Sequence, residues 1–153
     1  MIKYAFIFLL LTPPQLSPRQ AAPNANTEPS SCLSTELNEY DAEILLYMLP
    51  ASVTSRGNGR KIGWELQDSP KLNQKDFFSF YLYDVRAPAN SSPTIGYFAI
   101  NKHTGEVWNM SRAESVESED LSAVQKILRR GHCVDEKILK AYASRRPDIL
   151  NSK

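Results

Sequence analysis

Two histidines and two cysteines carry the most reactive side chains in this 153-residue sequence. An unperturbed imidazole titrates at about pH 6.5, so His103 and His132 are the natural general bases. A base needs a nucleophile and an orienting acid within reach, and neither histidine has them at a helpful spacing. His103 stands in "NKHTGE", residues 101–106, between two apolar runs. Gly105 suits the left-handed position that closes a hairpin loop, and Asn101 can open the turn by bonding its own backbone. That places His103 at an exposed loop tip, as a solvated residue of a scaffold hairpin. His132 adjoins Cys133 and has no paired partner.

The acids are no better arranged for catalysis. Asp41/Glu43 and Glu117/Glu119 stand two apart, which points them away from each other on a helix. They read as solvated faces and as complements to helix dipoles. Metal sites need clusters of His, Cys, Asp and Glu at ligand spacing, and none stands out. The phosphate-loop, dinucleotide, zinc-protease, nucleophile-elbow and C-x-x-C motifs are all missing. The expectation is no catalytic residue, no metal ligand and no cofactor. Two alternatives stay open: a small secreted hydrolase in which folding brings an acid to His103 or His132, and an envelope structural domain without a discrete ligand.

The setting of the cysteines comes from the N-terminus. "MIKYAFIFLLL" has Lys3 followed by an apolar run from Tyr4 to Leu11, too short to span a bilayer and matching a secretory signal core. "TPPQLSPRQAAPNANTEPSS" then offers little to pack. Residues 1–22 read as a signal peptide, 23–31 as a disordered leader, and 32–150 as one domain, periplasmic or secreted, with no membrane anchor after cleavage. In such a compartment an even cysteine count favours a disulfide, Cys32–Cys133. Losing Lys3 and Arg19 with the signal moves the formal charge from +1 to −1. That balance excludes the basic field expected of a nucleic-acid binder.

The elements that must position these residues follow from periodicity. Residues 32–50 read as a helix started by Ser34 and stopped by Pro50, with "ASVTSRGNGRK" as a turn-rich connection. Strands are expected at 62–67, 76–86, 94–101 and 105–110. "DFFSFYLYDVR" has no polar face, which marks a central strand with an aromatic outer surface. Ser118 should cap a helix that stops at Gly131, and Asp135 a second one. The sum is an α+β fold. An antiparallel three- to four-stranded meander carries an N-terminal helix and two C-terminal helices packed on one face.

Strand aromatics are the surplus. Trp64, Phe78, Phe80 and Phe98 are assigned to the core, while Tyr81, Tyr83 and Tyr97 are candidates for an exposed surface. With Lys102, His103 and Thr104 of the turn, they form the expected partner-binding set; the loop Pro88–Pro93 is a further candidate.

"YFAINKHTGEVW", residues 97–108, resembles the Y-x-V-x-x-x-T-G-x-V hairpin of PepSY-type domains, small exported α+β modules linked to inhibiting or regulating peptidases. No second copy of that hairpin is present, and the preceding aromatic strand is not part of that pattern. The layout as a whole resembles small periplasmic immunity and inhibitor proteins of bacteria. That resemblance implies a non-enzymatic binding protein whose partner is a protein, a hydrolase or a toxin.

Overall fold

The computed structural model describes residues 32–68, 75–143 and 145–148. The signal peptide and leader expected at 1–31, and the expected domain end at 150, lie outside the described residues. The described residues form four helices and a five-stranded antiparallel sheet: α1 (Glu39–Met48), α2 (Pro50–Gly57), β1 (Ile62–Leu66), β2 (Phe77–Asp84), β3 (Thr94–Asn101), β4 (Val107–Asn109), β5 (Glu114–Ser115), α3 (Glu119–Gly131) and α4 (Glu136–Tyr142). The strands lie side by side in chain order, an uninterrupted meander.

Local chemistry explains the helix boundaries. Asn38, rather than Ser34, starts α1: its side chain accepts from the Asp41 amide while the Asp41 carboxylate accepts from the Asn38 amide. α1 stops at Met48, just ahead of Pro50, but helical structure does not end there as the sequence reading expected. Pro50 occupies the first turn of α2, where a missing N–H costs nothing, and "ASVTSRG" is helical rather than a loop. Ser118 and Asp135 cap α3 and α4 as expected. The fifth strand, two residues long, is too short to show a pattern in sequence.

α1 and α3 cover one sheet face, whereas α4, expected there from sequence, adds no residue to the core. Ala42, Leu45, Leu46 and Leu49 of the first helical segment and Leu121 of α3 close over Phe80, Leu82, Phe98, Ile100 and Val107. Trp64 and Phe78 pack at the margin of this core. Tyr40 of α1 is exposed. Between Leu82 and Tyr83 the β2–β3 register shifts, so that Tyr83 faces Thr94 and Ile95 is skipped. This bulge turns Ile95 to the core while leaving Thr94 beside the tyrosines of the opposite face.

Cys32 and Cys133 form the disulfide, with Cα atoms 5.6 Å apart across a sequence separation of 101. The bond ties the segment before α1 to the end of α3, and both residues are exposed. A loop of that length is worth about 4–5 kcal/mol in chain-entropy terms, an upper figure. Cys32→Ser/Cys133→Ser should therefore lose up to about 4 kcal/mol in urea unfolding, with the same circular dichroism spectrum at low denaturant.

Candidate protein-binding face

The sheet face away from α1 and α3 is divided in two. At one end Phe77, Ala99 and Trp108 form a small second cluster with Met110 against it. Residues after α4 reach this end: the Arg146 guanidinium lies 5.7 Å from the Trp108 ring, and Pro147 is fully buried. At the other end Tyr81 lies between Tyr83 and Tyr97, with ring centroids 5.3 and 5.1 Å apart and planes 20° and 28° from parallel. Tyr97 is 45% exposed, and the other two are half-buried.

The register builds this ladder. Tyr81 and Tyr83 alternate onto one face of β2, and Tyr97 is the direct cross-strand partner of Tyr81. Gly63 sits opposite Tyr83, and a Cβ there would come within 2.8 Å of the Tyr83 ring, so the ring covers bare backbone. Thr94 hydrogen-bonds the Tyr81 hydroxyl at 3.1 Å. Because the ring faces are spent on one another, the ladder offers ring edges and hydroxyls outward. Such a surface combines apolar area with hydrogen-bonding groups, the composition of protein interfaces.

The turn residues expected beside these tyrosines are placed differently. His103 is 7% exposed and Thr104 2%, so the turn is buried rather than displayed. Lys102 is half-buried, its ammonium 4.7 Å from the Phe78 ring centre. Asn101 does open the turn, accepting from the amides of His103 and Thr104, and Gly105 has the expected left-handed conformation. What sequence could not show is the set of remote donors that meet it. Leu37 N–H donates to the Lys102 carbonyl, Arg129 Nε to that of Thr104, and Gln125 Nε2 to that of Gly105.

Both histidines also have acids, contrary to the reading from spacing. His103 Nε2 lies 3.2 Å from Asp76, its Nδ1 3.7 Å from Glu36, and its ring stacks on Tyr142 at 3.8 Å. Arg145 reaches the other Asp76 oxygen at 2.7 Å. His132 Nε2 lies 2.9 Å from Asp41, without the alignment of a hydrogen bond, and Nδ1 lies 3.0 Å from Ser34 Oγ. Serine, histidine and carboxylate thus stand in the order of a nucleophile, base and orienter. Yet the Ser34 hydroxyl also bonds the Glu36 carbonyl, the Glu36 amide donates to Ser34 Oγ, and His132 is 2% exposed. Both clusters join distant segments: one the hairpin turn to the C-terminal stretch, the other the N-terminal segment to α1 and the end of α3.

Neither histidine lines either of two surface cavities beside β5. The 640 Å³ groove runs between Pro50 and Ala51 at the start of α2 and Arg112–Glu117, and the 290 Å³ pocket lies between Glu106 and Arg129. In that pocket burial pushes the Glu106 carboxyl up despite the opposing charge of Arg129. Among the described residues no group of His, Cys, Asp and Glu is placed to hold a metal ion, and no helix is long and apolar enough to cross a membrane.

Comparisons extend only to the fold. No family model and no curated protein matches the chain, so the PepSY-type likeness of residues 97–108 rests on that hairpin alone. Among solved structures, a chain from a type VI secretion system effector-immunity complex of Pseudomonas protegens is similar. The match has a TM-score of 0.53 at 18% identity, covering 82% of this chain and 98% of that one. The fold is shared.

Burial raises the Asp76 pKa, but hydrogen bonds and charge from Arg145 and His103 outweigh it and hold the carboxyl below its ordinary value. A depressed folded-state pKa stabilises above the unfolded value, and that stability is lost as pH falls through the folded one. Asp76→Asn should thus cost about 2 kcal/mol at pH 7 and, in urea unfolding as a function of pH, flatten the loss of stability below about pH 4.

Proposed function

We propose that this chain is an exported, non-enzymatic binding protein of the immunity or inhibitor type, which neutralises a toxin-like or cell-wall-directed enzyme by docking against it. The observation that carries this reading is the Tyr83–Tyr81–Tyr97 ladder on a sheet face that α1 and α3 do not cover. The fold likeness to a chain from an effector-immunity complex supports it, as does a signal-like N-terminus joined to a domain held by one disulfide. In this reading Tyr81, Tyr83 and Tyr97 contact the partner, while Lys102, His103 and Thr104 belong to the turn at the opposite end of β3. The work is done in the periplasm or outside the cell, where the Cys32–Cys133 bond persists.

The test is neutralisation. The protein encoded next to this chain, exported alone in a bacterial host, should arrest growth, and co-export of this chain should restore it. Tyr97→Ala and Tyr81→Ala should each weaken the purified complex by about 2 kcal/mol, roughly 30-fold in Kd. Unchanged affinity in both variants would remove the ladder from the interface.

A second reading, hydrolysis, is favoured by one observation, the Ser34–His132–Asp41 alignment. Ser34→Ala separates the two readings. Under the binding reading it leaves neutralisation intact; under hydrolysis it abolishes turnover in a screen of ester and peptide substrates.

A further inference from the structure

β1 is an edge of the sheet, and its pairing with β2 shows which backbone groups face outward. Gln67 N–H donates to the Ser79 carbonyl, and Val85 N–H to the Lys61 carbonyl. In an antiparallel ladder the residues that bond the partner strand alternate with residues whose N–H and C=O point the other way. Lys61, Gly63, Glu65 and Gln67 therefore bond β2. Ile62, Trp64 and Leu66 present their amides and carbonyls outward, and among the described residues no strand pairs with that edge.

Beside this edge is a 490 Å³ depression with a basic rim of Arg56, Arg60, Lys61 and Arg86 over Ile62 and Trp64. Arg60 has a 3.7 Å contact with Asp84 but stays 54% exposed, a pair of little strength. Arg56 lies over the Tyr47 ring and donates to the Tyr47 carbonyl, with no carboxylate on it among the described residues. Leu66 adds apolar exposure at the same edge, 46%. An exposed edge usually carries charge that repels strand addition; here the basic groups are set to one side, and Glu65 alternates onto the other face.

We propose that the β1 edge is a docking site for an extended acidic segment of a protein partner, added as a sixth strand. Its backbone pairs with Ile62, Trp64 and Leu66, and its alternate side chains turn toward Arg56, Arg60 and Arg86. Carboxylates at every second position suit the basic rim, while the other positions face Gly63 and Glu65, where a further acid would be repelled. Outward backbone groups in strand spacing select a peptide over other polyanions, which the cations alone would not do. This site holds whether or not the tyrosine ladder contacts a toxin.

The probe is a blocked peptide of about eight residues alternating threonine with glutamate, added to the oxidised protein and followed by amide exchange in NMR spectra. The Ile62, Trp64 and Leu66 amides should exchange more slowly, with Gly63 and Glu65 unchanged. The lysine counterpart of the peptide should do nothing. Leu66→Pro removes an outward amide that the β1–β2 ladder does not use, and should abolish the protection. Arg60→Glu/Arg86→Glu should weaken peptide binding by about tenfold. No protection at the three amides, equal slowing at Gly63 and Glu65, or equally tight binding of a sulfated oligosaccharide would each overturn the proposal. None of these outcomes bears on neutralisation through Tyr81 and Tyr97, which the variants of those residues report separately.

Discussion

A turn removed from water must find a donor for every carbonyl it hides, and the turn Asn101–Gly105 is such a turn. Its carbonyls are met by Leu37 ahead of α1, and by Gln125 and Arg129 on α3. Its histidine is met by Asp76 before β2 and by Tyr142 at the end of α4. The segment ahead of α1, the residue before β2, α3 and α4 all contribute to it. An unmet carbonyl in this position would cost about 1–3 kcal/mol, so no layer can slip without penalty to the others. The hairpin fixes the helices as much as the helices cover the hairpin.

The disulfide works on the same junction. Cys32 and Cys133 bracket Ser34 and His132, whose contact leads on to Asp41 in the capping box of α1. Covalent bond, histidine contact and helix cap follow one another across a few residues. The N-terminal segment is thereby held where Leu37 can reach the turn. A serine, a histidine and an aspartate in file need not signal hydrolysis when each already has a structural task.

What was legible in the sequence was local. Ser118, Asp135 and Gly105 announce caps and a turn through their own backbone chemistry, and the aromatic alternation of residues 77–84 announces a strand with two apolar faces. Pro50 misleads because the same residue can follow a finished helix or open the next one, and nothing nearby decides between them. The burial of His103 was invisible for a different reason. Its partners lie 27 and more residues away, and only the fold brings Asp76, Arg145 and Tyr142 to one ring. The tyrosine face was visible as composition, but its stacking needed the β2–β3 register and the bulge beside it.

That stacking has an optical consequence. Three phenol chromophores held about 5 Å apart at fixed angles share their electronic transitions, so the near-ultraviolet dichroism of the native protein carries a coupled signal from one patch of surface. Any body that settles on the ladder and tilts a single ring changes that coupling, and the protein reports contact with its own colour.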